Sequence, residues 1–113
     1  MRVEPVTQTT MARMMDHAVL NPAMTENDIR RAAAMCRARG VGNLCVRPTD
    51  AALAASLLKG SATTVAVVVG FPHGASRSEV KALEARLAIE DGAAELDMVM
   101  NIGKFLSGDD DYV

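Results

Sequence analysis

Tryptophan is missing from these 113 residues, and the aromatic side chains come down to one tyrosine and two phenylalanines. That scarcity argues against an aromatic surface for stacking bases or sugar rings. Positive charge is not in excess either. Twelve Lys and Arg face fourteen Asp and Glu, a net charge of -2. No electrostatic footprint for nucleic acid or an acidic membrane follows from that balance. No run of about 18 apolar residues exists, so no membrane span is expected. The polar start Met1-Arg2-Val3-Glu4-Pro5 has no hydrophobic region of a secretory signal. The two cysteines, Cys36 and Cys45, form neither C-x-x-C nor a zinc pattern. Free thiols in a reducing cytoplasm are the expectation.

What remains is the composition of a folded domain: 50% hydrophobic and 23% charged residues. The length suits one α/β domain over 1–113, with 1–13 as a lead-in arm or short helix. Met15–Leu20 reads as a first strand, stopped by Asn21-Pro22. Thr25 then caps a helix with acidic residues in its first turn. Ile29, Ala32, Ala33 and Cys36 give that helix one apolar face, and Gly40 ends it. Val41–Val46 is the second strand. Thr49 is expected to cap a helix over Asp50–Lys59. Thr63–Val69 is continuous and β-branched, as in a parallel strand covered on both faces. Ser76-Arg77-Ser78-Glu79 reads as a capping box opening a helix to Asp91, with Val80, Leu83 and Leu87 inward. A buried strand follows Gly92. Gly103–Gly108 reads as a loop, and Asp109–Asp111 as the first turn of another helix. Strands and helices alternate with short connections, which implies parallel strands and right-handed crossovers.

The stretch from Gly92 to Gly103 places one carboxylate, Asp97, near the end of an apolar strand. An ionised carboxylate in such a setting needs a partner or a task. Taken alone, it reads as a satisfied structural residue. Its position adds the functional reading, because parallel barrels carry their chemistry at the carboxyl ends of strands. Asn43, Cys45 and Arg47 share one side of the second strand, and Glu95, Asp97 and Val99 one side of the fourth. Gly70-x-x-x-Gly74 lacks both the P-loop and dinucleotide patterns and reads as a plain turn. His17 and His73 have no partners in ligand spacing, so no metal is expected. Lys59, Lys81 and Lys104 fall at a helix end, on a helix surface and in a loop. None is placed as a Schiff-base amine.

Four motifs carry a resemblance. Asp16-His17-Ala18-Val19-Leu20-Asn21-Pro22, Leu44-Cys45-Val46-Arg47-Pro48, Val68–Gly74 and Glu95–Gly103 resemble, in order and spacing, the deoxyribose-phosphate aldolases. The resemblance spans about Met14 to Val113. It implies the (β/α)8 TIM barrel family, with about the first four βα units in this chain. It also implies a cytoplasmic class I aldolase with no cofactor. The implied reaction is the reversible cleavage of 2-deoxy-D-ribose 5-phosphate to D-glyceraldehyde 3-phosphate and acetaldehyde. By resemblance Asp97 matches the catalytic Asp that shuttles protons with a lysine and a water. Asp16 and Cys45 match residues lining the substrate pocket.

The chain departs from the family at Ala18 and Asn21, where Thr and Lys are frequent, and at Arg47, where Asn or Tyr is common. These departures leave the aldehyde specificity open. The family's nucleophilic lysine, its second lysine and its phosphate-binding glycine loops belong to the second half of the barrel. No lysine here matches them, so the chain by itself is expected to be inactive. An open half barrel is expected to pair with its missing half or to form a homo-oligomer. Another Schiff-base aldolase, a non-catalytic assembly or binding module, and a small open sheet of flavodoxin type are the competing readings.

Overall fold

The computed structural model describes residues 3–113; the first two residues of the expected lead-in arm lie outside it. Helix α1 (Gln8–Arg13) precedes β1 (Asp16–Val19), α2 (Glu26–Arg39) and β2 (Asn43–Val46). A single 3-10 turn, Pro48–Asp50, leads into α3 (Ala51–Leu58). Then come β3 (Thr64–Val69), α4 (Ser78–Glu90), β4 (Glu95–Met98) and α5 (Ile102–Leu106). The strands form one sheet in the order β1-β2-β3-β4, all parallel. Four consecutive βα units in sequential order are the pattern of half a (β/α)8 barrel. Among the described residues, no helix is long and apolar enough to cross a membrane.

The core lies between the sheet and its helices. Ile29, Ala33 and Cys36 of α2 and Ala51, Ala54 and Leu58 of α3 pack on Val19, Leu44, Val46, Val65 and Val67. The stripe expected for α2 is therefore the buried one. Thr25 is its N-cap, and the Asp28 carboxylate accepts the Thr25 N–H at 2.7 Å. That bond, with the Thr25 hydroxyl and Arg31, holds the Asp28 carboxyl down at about 2. Gly40 closes α2 in the left-handed region at φ 65°. Thr63 is buried, and its hydroxyl ties the Cys36 and Val41 carbonyls together at the foot of β3.

Several local expectations are corrected. The cap of α3 is Asp50 rather than Thr49, which is absorbed into the 3-10 turn. The N-cap of α4 is Arg77, with no side-chain capping bond, so the box starting at Ser76 does not form. Val80, Leu83 and Leu87 are about half exposed, while Lys81 and Ala88 are buried. Residues 81, 84, 85 and 88 make a second stripe at helical spacing, and that stripe faces the sheet. Strand β4, expected to be buried, is exposed along its length, because it pairs only with β3. Residues 102–106 are helical, capped by Asn101 Oδ1 on the Lys104 N–H at 3.0 Å, and Asp109–Asp111 form a turn.

Ile29 is fully buried and Leu106 is 77% exposed. Ile29→Ala should therefore destabilise the fold by about 2–5 kcal/mol in urea unfolding. Leu106→Ala should stay within about 0.5 kcal/mol.

Candidate active site

Alternation along each strand divides the sheet into two faces. One enters the helix-covered core. On the other, Cys45, Ala66 and Val68 form a separate small cluster with Leu20. This second face would line the inside of a barrel.

The inner face can be followed from its foot. Asp16, Asn43 and Thr64 lie in register at the amino ends of β1, β2 and β3. The Asn43 amide donates to Asp16 Oδ1 at 2.8 Å, and the Thr64 hydroxyl donates to Asn43 Oδ1. Sequence reasoning picked out Asp16 but not this chain of bonds, since Asn43 and Thr64 are unremarkable strand residues when read singly. One step up, Cys45 pairs with Ala66. A further step up, Asp97 pairs with Val68. All three expected site residues thus share the inner face, at different heights. Asp97 stands nearest the carboxyl ends, and Asp16 is the first residue of β1.

A concavity of about 580 Å³ opens at the carboxyl ends of β1–β3, with Leu20, Arg47, Val68 and Phe71 in its wall. Val68, the register partner of Asp97, lies in that wall, and Asp97 stands one strand further along the inner face, outside the lining itself. Arg47 was expected on the same side as Cys45, and its side chain begins there. Its guanidinium, however, is tied down. Nε donates to Asp50 Oδ2 at 2.6 Å, and the terminal nitrogens donate to the carbonyls of Asn21, Pro22 and Met24 at 3.1–3.3 Å. Arg47 staples the β1–α2 loop to β2 and offers little free charge to a ligand. Gly70 and Gly74 form the plain turn expected of them: the Gly74 N–H donates to the Gly70 carbonyl at 2.7 Å, and both have positive φ.

Lys81 and Lys104 are engaged away from the inner face, and Lys59 is exposed. Lys59 follows the end of α3, at the foot of the sheet. Lys104 pairs with Asp109 at 3.0 Å and lies over the Tyr112 ring. Lys81, expected on a helix surface, is buried, and its ammonium donates to the Val99 carbonyl at 2.7 Å. The apolar stem of lysine permits this burial, so composition alone does not reveal it.

Burial pushes the Cys45 thiol up to about 11, and the charges of Asp97 and Asp16 add to the effect. Two outcomes are expected. Alkylation by iodoacetamide at pH 8 should be slow, because the thiolate is the nucleophile. As pH rises, the unfolded chain loses the thiol proton first and the folded chain keeps it. Stability should therefore fall from about pH 9 to about pH 11, and Cys45→Ala should flatten that slope.

No protein-family model matches the chain. Curated proteins do. The deoxyribose-phosphate aldolase of Geobacillus sp. (strain WCH70) is 43% identical over 106 residues, which is 94% of this chain and 48% of that protein. The deoxyribose-phosphate aldolase of Methanothermobacter thermautotrophicus is 47% identical over 107 residues, 95% of this chain and 48% of that protein. Among solved structures, QR15, an aldolase, superposes with a TM-score of 0.86 at 35% identity, covering 90% of this chain and 45% of that one. The tetrameric deoxyribose phosphate aldolase from Aeropyrum pernix gives 0.81 at 29% identity, covering 86% and 42%. The chain spans about half the length of the curated relatives it matches. Over that half, in sequence and in strand order, the chain is homologous to the deoxyribose-phosphate aldolases.

Proposed function

We propose that the chain is the N-terminal half of a class I aldolase barrel, in one α/β domain over 1–113. Its reaction is the reversible cleavage of 2-deoxy-D-ribose 5-phosphate to D-glyceraldehyde 3-phosphate and acetaldehyde through a Schiff base. The observation that carries this reading is Asp97: an exposed carboxylate on the inner face, one strand across from Val68 in the wall of the hollow at the carboxyl ends of the strands.

In this chemistry an amine condenses with the aldehyde carbonyl and expels water. The resulting iminium accepts the electron pair when the carbon–carbon bond breaks. Protons must move to and from the carbinolamine oxygen and the reacting carbon. Asp97 is the proton relay. Cys45 and Asp16 shape the floor beneath the substrate, Cys45 as a neutral thiol. With Lys81 and Lys104 engaged elsewhere and Lys59 at the end of α3, by the foot of the sheet, the amine comes from a second (β/α)4 unit. That unit closes on the free edges of β1 and β4 and covers the inner face, and it supplies the phosphate-binding loops. The free thiols and a phosphorylated substrate suit a cytoplasmic enzyme.

Mixing the chain with the remaining half of the Geobacillus relative should restore turnover of 2-deoxy-D-ribose 5-phosphate. Asp97→Asn should lower kcat by about 10²–10⁴-fold in that mixture. Full activity of Asp97→Asn would refute the relay. Sedimentation should show the chain alone self-associating. A compact monomer with no tendency to pair would count against an open half barrel and favour a self-contained module.

A further inference from the structure

Helix α4 sends two polar side chains, one turn apart, to the ends of β3 and of β4, the strand that carries Asp97. Glu84 Oε2 accepts the Gly70 N–H at 2.7 Å, directly after β3. The Lys81 ammonium donates to the Val99 carbonyl at 2.7 Å, directly after β4. Between these two points the Val99 N–H donates to the Val69 carbonyl at 2.9 Å. The exits of β3 and β4 are thereby tied to each other and to one helix.

The fit around this link is close. Lys81 is 9% exposed, and its methylenes lie over Gly70, where an added Cβ would meet Cε at 3.0 Å. Gly70 has φ 65°, in the region that favours glycine. A lysine drawn out of water needs a reason, since an uncharged side chain of similar length would fill the space without the desolvation cost. Here the reason is the carbonyl it holds. Strand β4 is an edge strand with every residue exposed, and besides Lys81 its end is held by the Val99–Val69 main-chain bond and the close approach of Gly74 to Met100. Asp97 sits two residues before the clamped Val99.

We propose that Lys81 and Glu84 are positioning residues for Asp97: they fix the exit of β4 so that the carboxylate is held at one height above the inner face. This rests on the reading of Asp97 as the proton relay. A displacement of about 1 Å at a reacting group can cost about 10²-fold in rate, so a clamp one residue from the strand end is enough to matter.

The test compares wild type, Lys81→Met, Lys81→Arg and Glu84→Gln by two readouts. The first is the side-chain carboxyl ¹³C resonance of Asp97 in the chain itself. The second is kcat and KM after pairing with the complementary half of the Geobacillus relative. Lys81→Met should move the Asp97 resonance and lower kcat by about 10- to 100-fold with KM nearly unchanged. Lys81→Arg, which keeps a charged donor, should recover most of both, and Glu84→Gln should give a smaller change of the same kind. An unmoved Asp97 resonance in Lys81→Met overturns the clamp, as does a failure of arginine to rescue. If wild type shows no turnover at all, the proposed function falls while the resonance still decides the clamp in either direction.

Discussion

The packing of β3 between two parallel neighbours governs the rest of the structure. Val65, Val67 and Val69 drive one side of this strand into the helix layer, and Ala66 and Val68 close on Cys45 on the other. Burial on both faces is what a continuous β-branched run is suited to. Strand β2 is buried along its whole length for the same reason. Strand β4 then hangs on β3 by main-chain bonds, and that pairing sets Asp97 opposite Val68. The site inherits its position from an apolar strand that does no chemistry.

Much of this was legible in the residues. The run Val65–Val69, the stripe Ile29/Ala33/Cys36 and the terminal Gly40 each express a local rule that tertiary packing reinforces. Helix α4 was not legible in the same way. It carries two stripes at helical spacing, and the more apolar one, Val80/Leu83/Leu87, is the one left half exposed. Lys81 was hidden because its charge outweighs its four-carbon stem in any reading by residue type. The short helix α5 was obscured by Gly103 within it, although the Asn101 cap that stabilises it was in plain view. The exposure of β4 follows from its place at the sheet edge, which is a property of topology rather than of the strand's own sequence.

The candidate site shows the same division. Asp97 stood out because a carboxylate near the end of an apolar strand is costly without a purpose. Asp16 and Cys45 followed from the motifs. The bonds from Asp16 through Asn43 to Thr64 depend on register between strands distant in sequence, so no single segment announces them. Arg47 misleads in the opposite sense. It reads as a cation at a strand end, yet four hydrogen bonds turn it into a staple.

One side of the sheet is complete and the other is open, and the functional proposal turns on that asymmetry. The open side holds carboxylates and a neutral thiol, whereas Lys81 and Lys104 are occupied elsewhere and Lys59 lies at the end of α3, by the foot of the sheet. Aldol chemistry by Schiff base needs both an amine and a proton relay, and in the proposed enzyme the two come from different halves. Borohydride trapping with acetaldehyde, read by intact mass, tests this division most directly. The chain alone should form no adduct, and its mixture with the complementary half of a relative should form one on a lysine of that half. A specific adduct on Lys59, Lys81 or Lys104 would contradict it.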